Sequence, residues 1–212
     1  MSVKRRTYDA SSRRKAADAT VRAVLDAARR LFLEYGYAAT TLPAIAKAAG
    51  IALDTVYAAV GKKPKLFRLL VEQAISGQSG SIPAEQREYV RAVRAATDAR
   101  TKLRTYAAAL RDIHPRLAPI FRVLQAAAPL DADLMELWRD ISTRRASNMR
   151  LLAKDLLSTG QARSGMSVQK AADIIWSTGS PEFYWLLVGE RGWPLDAFEQ
   201  WLADTWIGLL LD

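Results

Sequence analysis

His114 is the only histidine in the chain and cysteine is absent, which excludes disulfides, thiolate metal centres and a histidine-rich ligand set. No metal and no cofactor is therefore predicted. Asp131 and Asp133 are the acidic pair that best fits a general acid and base, yet they stand directly before a helical stretch and read more simply as caps. The sequence holds no P-loop, no dinucleotide fingerprint, no H-E-x-x-H and no nucleophile beside a visible base. An enzyme is not expected.

Recognition chemistry is concentrated instead in AAGIALDTVYAAVGKK, Ala48 to Lys63. Gly50 ends one short helix, a second starts almost at once, and that second helix keeps Val56 inward while exposing small and polar side chains. Two helices joined by so tight a turn predict a helix-turn-helix. In that reading Ala52, Leu53, Asp54 and Thr55 meet base edges in a DNA major groove, Tyr57 and Lys63 reach phosphates, Lys62 belongs with them to the DNA-binding set, and the N-terminus of the next helix, at Lys63 and Pro64, adds an anion site. Asp54 has two readings, a cap of its own helix or an acceptor for cytosine N4. Leu53 either touches a thymine methyl or is simply exposed.

These residues need elements to hold them. Val21, Val24, Leu25, Ala28, Leu31, Phe32 and Tyr35 recur at helical spacing and Gly36 stops them, predicting a first helix over 20–35. Thr40 and Thr41 both offer an N-cap for a second helix bearing Leu42, Ile45, Ala46 and Ala49 on one face. A helix follows Pro64, GQSGSIP at 77–83 reads as a loop, and further helices are predicted at 84–96, 99–113, 116–127, 132–158, 167–188 and 195–210. His114-Pro115, Pro129, Gly160 to Gly165 and Gly192 to Pro194 are the expected breaks. No strand pattern competes, and the fold class is all-α.

The charge supports the same reading. The net charge is +9 over 212 residues, and +8 of it falls in residues 1–75. A nucleic-acid partner fits this asymmetry better than a membrane surface, because no wide Trp/Phe/Leu face accompanies the basic residues. The half-apolar composition provides for a large core, and neither a membrane span nor a signal peptide is recognisable, so a soluble, cytoplasmic protein is expected. Residues 1–19, with KRR and RRK among Ser, Thr and Asp, read as a disordered basic arm. The arm is either a solvated tail or a minor-groove contact.

The segment TLPAIAKAAGIALDTVYAAVGKKPKLF resembles the DNA-binding region of the TetR family of bacterial regulators, with the likeness spanning about 21–71, and SPEFYWLLVGERGWPLDAFEQWLADTWIGLLLD resembles the end of many members. Matched position by position, the resemblance implies phosphate contacts at Thr41, Thr55, Tyr57 and Lys63. The chain departs from the family at Ala52, Asp54, Ala59 and Val60, where members commonly have a small polar residue, glycine and a His-Phe pair. A phosphate contact at 59 is thereby lost.

The resemblance implies an N-terminal helix-turn-helix domain over 20–68 and a larger helical domain over 69–212 for ligand binding and dimerisation. Stripes that include Ile175, Phe183 and Leu187, and Phe198, Leu202, Trp206 and Leu209, suit an intermolecular four-helix bundle, or else an internal core. Tyr106, His114, Phe121, Trp138 and Trp176 fall on the helices that enclose ligand in the family, and each also suits an ordinary core. The function implied is a homodimeric repressor of a pseudo-palindromic site on double-stranded DNA, released by a small organic molecule. A helical interaction module without specific DNA binding is the alternative.

Overall fold

The computed structural model describes residues 4–77 and 82–212. Residues 1–3 of the expected arm and 78–81 of the expected 77–83 loop lie outside the described residues. Among the described residues ten α-helices follow in order: α1 Lys4–Ala39, α2 Leu42–Ala49, α3 Leu53–Val60, α4 Lys63–Ser76, α5 Glu88–Ala95, α6 Ala99–Ala127, α7 Ala132–Leu157, α8 Val168–Thr178, α9 Pro181–Tyr184 and α10 Leu195–Leu210. Short 3₁₀ turns precede α5 and α7, a π-helical stretch Trp185–Glu190 follows α9, and among the described residues no strand forms beyond one isolated bridge between Ala162 and Leu211. The all-α expectation holds.

Helix α1 buries Val24, Leu25, Ala28 and Phe32, one face at helical spacing. It begins well before residue 20, where the sequence predicts an irregular arm. No Gly or Pro interrupts 4–35, and Arg13, Arg14, Lys15, Ala16 and Ala17 are strong helix formers, so the turn propagates although Ser12 to Ala19 stay exposed. Gly36 does end the regular run, with φ 76° and ψ 175° inside the bend that leads to Thr40. The buried Thr40 hydroxyl donates to the carbonyl of Gly36 at 2.8 Å and approaches that of Leu31 at 3.1 Å, which fixes the exit of α1.

Three aromatics bind the small helices together: Phe32 packs on Tyr37 at 5.6 Å and edge-on to Phe67 at 5.2 Å. Ile45, Val56, Val60 and Leu66 complete this cluster, which runs without interruption into Ile113, Leu117, Ile120, Phe121 and Leu124 of α6. The expected boundary at 68/69 falls inside α4, which spans it as one helix.

Helix α6 corrects the predicted break at His114-Pro115. It passes unbroken through both Pro115 and Pro119. An interior proline costs about 3 kcal/mol, whereas full burial of each of Ile113, Leu117, Ile120 and Phe121 is worth about 1.5–3 kcal/mol; together these outweigh two prolines. The predicted helix 167–188 is corrected in the opposite direction, ending at Thr178 before Gly179 and restarting at Pro181 behind the Ser180 cap. Gly179 is also a site of close approach: a Cβ there would stand 3.0 Å from both Leu110 Cδ1 and Trp206 Cζ2.

Candidate functional site

The outward surface of the first four helices is built by two caps and one turn. Thr41 accepts from the backbone N–H of Ala44 at 3.2 Å and opens α2. Gly50, at φ 67° and ψ 30°, takes the left-handed conformation that lets Ile51 N–H return to the carbonyl of Ala46 at 3.0 Å. The chain turns through 105° between α2 and α3, within the range of helix-turn-helix pairs.

Helix α3 rests on Val56 and Val60, both fully buried. Ala52, Asp54, Thr55, Tyr57 and Ala58 face solvent together with Thr41 and Lys62, and Tyr57 is 47% exposed. Leu53 is half-buried against the domain core rather than freely exposed. The capping reading of Asp54 is corrected: α3 starts at Leu53 behind Ala52 with no side-chain cap, so Asp54 sits one residue too far along and acts only through its charge in the first turn.

The two lysines separate. Lys62 is exposed at the N-terminus of α4, where no side chain satisfies the free N–H groups. Lys63 folds back, its Nζ 4.0 Å from the ring centre of Tyr37. Burial lowers the pKa of Lys63, against an opposing pull from Asp131.

Behind this surface, α4 to α7 enclose a cavity of about 770 Å³, within the size range of small-molecule sites. Tyr106, His114 and Phe121 line it as the sequence expects. Trp138 and Trp176 are not among its lining residues, a correction. Trp138 stacks on the far side of Phe121 at 5.0 Å, and the Trp176 ring lies against Arg145. Helical register alone could not say on which side of α7 or α8 each indole would fall.

In and beside the cavity are charges that the sequence reading missed. Glu72 of α4, buried, pairs with Arg144 at 3.0 Å and Arg87 at 3.8 Å. Lys102, buried, donates to the carbonyl of Val93 and pairs with Asp155 at 2.8 Å. Arg145 donates to the carbonyl of Trp176 and lies over that ring. Its signal was register: Ile141 and Met149 are buried four residues to either side, so Arg145 occupies an interior position of α7. Burial lowers its pKa, partly opposed by Tyr106 and Glu182. His114 is wholly buried, neither ring nitrogen has a partner of good geometry, and burial followed by the charge of Arg145 drives its pKa down to about 3 against a smaller pull from the Gly179 backbone.

The expected dimer residues divide. Ile175, Phe198, Leu202 and Trp206 are fully buried within the chain's own second core cluster, so they cannot meet a partner, a correction to that part of the expectation. Their sites close around α6, because Trp206 stacks on Tyr106 at 5.5 Å and donates to Thr178 at 2.7 Å. Phe183 and Leu187 are half-buried, Leu209 is 44% exposed and Leu186 is 51% exposed.

Residues 24–70 match the model of the bacterial regulatory proteins of the tetR family. Its N-terminal domain is of the TetR family. The TetR-family segment includes all of α2 and α3, the outward row and the lysine pair. Among curated protein sequences none matches the chain. Among solved structures, NalD, the secondary repressor of the MexAB-OprM multidrug efflux pump in Pseudomonas aeruginosa, is 21% identical, with 93% of this chain and 98% of that one covered at a TM-score of 0.70. SmeT in complex with triclosan is 19% identical, 92% of each chain covered, TM-score 0.65. A transcriptional regulator from Saccharomonospora viridis in complex with choline is 17% identical, 91% and 97% covered, TM-score 0.69. At these identities the likeness shows the fold alone: an N-terminal helix-turn-helix followed by a larger helical domain. No single helix is long and apolar enough to cross a membrane among the described residues.

Proposed function

We propose that the protein is a cytoplasmic, homodimeric transcriptional regulator, a repressor that leaves its operator when a small organic molecule fills the cavity. One observation carries this reading. Helix α4 contributes Glu72 and Ile75 to the cavity wall and, through its first turn, abuts the end of α3. A ligand that shifts that wall therefore shifts the DNA-reading surface, and operator and ligand compete through two orientations of one rigid element. The ligands in the SmeT and Saccharomonospora structures support a small organic effector.

In this proposal residues 20–68 bind DNA and 69–212 bind ligand and the second copy. Ala52, Leu53, Asp54 and Thr55 read bases while Thr41, Tyr57, Lys62 and Lys63 hold phosphates. The dimer forms through the outer face of α8 to α10, around Phe183, Leu186, Leu187 and Leu209. Two copies set their α3 helices in successive major grooves, about one helical turn apart.

Selection of random duplexes on the purified protein tests the reading. Enrichment of a pseudo-palindrome is expected; indiscriminate retention that vanishes with added salt would leave the interaction-module alternative. Leu209→Glu is expected to give monomers in sedimentation and to weaken operator binding. An unchanged dimer would refute the interface.

A further inference from the structure

Among the described cations that line the cavity, Arg87 and Arg144 pair with Glu72 and Arg94 is exposed to solvent, which leaves Arg145 as the mostly buried one without an acidic partner. Glu72 is satisfied by Arg144 and Arg87, and Asp155 by Lys102. Arg145, mostly buried in the wall, has only a backbone carbonyl and an indole face, and no carboxylate of the described residues comes within ion-pair distance. Glu182 acts on it electrostatically, but its hydrogen bond is to Gln125 at 2.9 Å. A guanidinium withdrawn from water in this way retains unused donors, a costly state that an incoming anion relieves.

Two neutral groups lie in the same wall. Tyr106 is held protonated by burial, and His114 is held neutral, so one offers a hydroxyl and the other an N–H and a free ring nitrogen. Apolar side chains from Leu110, Ile113, Leu117 and Ile141 cover much of the remainder. Building on the ligand-responsive reading above, we propose that the effector is an amphipathic organic acid, its single anionic head on Arg145 beside Tyr106 and His114 and its apolar body along α6. A cationic head would meet Arg145, while the lining carboxylates Glu72 and Asp155 are already paired and Glu85 is exposed to solvent.

The test uses the full-length protein and three probes that share a tail: decanoate, decan-1-ol and decyltrimethylammonium, titrated calorimetrically below their micellar concentrations and scored for operator release. Decanoate is expected to bind roughly tenfold or more tightly than the alcohol, as a charge-assisted hydrogen bond implies, and the cation most weakly. Arg145→Met should bring decanoate and the alcohol to equal affinity, and Arg145→Lys should retain part of the preference. Should Arg145→Met fail to fold, the comparison on the unaltered protein decides. Equal binding of all three, or preference for the cation, overturns the organic-acid assignment and leaves ligand responsiveness intact. If none binds and none releases DNA, both fall.

Discussion

Glu72 on α4 accepts from Nη1 of Arg144 on α7 at 3.0 Å in the wall of the cavity. The pair ties α4, which abuts the end of α3, to α7 across the cavity. Arg144 also reaches Asp140 at 3.4 Å, and Asp140 bonds Arg68 of α4. Because Arg144 is about half exposed, solvent screens the pair and its worth is at most about 1 kcal/mol. Arg144→Ala is expected to weaken operator binding a few-fold without ligand while leaving its salt dependence unchanged, as read by fluorescence anisotropy at several salt concentrations. A changed salt slope would place Arg144 at the DNA instead.

The lysine pair should separate by phenotype. Lys62→Ala is expected to weaken binding to all sequences alike and reduce the salt slope by about one, with melting unchanged. Lys63→Ala should also lower the melting temperature, because its contact with Tyr37 is lost, an interaction worth about 0.5–1 kcal/mol. Tyr57→Phe should weaken all sequences several-fold, as loss of one phosphate hydrogen bond requires. Selectivity confined to one operator base would contradict the phosphate role.

Gly50 tests the turn itself. No atom lies within 4 Å of a Cβ built there, so any cost must come from backbone strain at φ 67°. Gly50→Val is expected to destabilise by about 1–2 kcal/mol, and Gly50→Asn by less, since asparagine tolerates the left-handed region. Equal melting of the two variants would mean the turn can rearrange.

Gly179 tests packing instead of strain. A Cβ there would meet Ile175 O at 2.9 Å as well as the side chains of Leu110 and Trp206, and the carbonyl cannot swing aside without bending α8. Gly179→Ala should cost about 1–3 kcal/mol, a melting shift of about 2–4 °C for each kcal/mol. It should also alter ligand affinity, because Gly179 and Leu110 line the cavity. Wild-type melting would show that α8 and α10 can separate.

His114 sets a pH dependence. The folded imidazole is held down to about 3 while the unfolded one titrates near 6.5, so between these values the unfolded chain binds the extra proton. Stability is therefore full above pH 6.5 and is lost as pH falls towards 3. With no second histidine in the sequence, the window from about pH 6.5 to 5 reports mainly this group. His114→Phe should keep the packing against Tyr184 and Phe198 and flatten that slope in thermal melts. An unchanged slope would mean the imidazole is solvated.

The helix-turn-helix was legible because its determinants are local. Thr41 caps its own first turn, Gly50 takes its own left-handed angle, and Val56 and Val60 recur at helical spacing, so a short stretch of chain contains every constraint. The outward row followed by subtraction.

Tertiary packing decided what local rules left open or misjudged. Pro115 and Pro119 stayed helical because the burial of α6 outweighs two missing donors. Asp54 lost the cap to a start at Leu53, and Lys63 turned onto a ring contributed by Tyr37, twenty-six residues earlier in the chain. Ile175, Phe198, Leu202 and Trp206 went inward instead of to a partner because α6 supplies the surface that covers them. Arg145 reads in sequence as one more charge on a polar helix, and becomes an unpaired cation only when three other helices close over it. Periodicity determines that a face is buried; only the assembled helices determine against what, and which charges are left without a counter-ion.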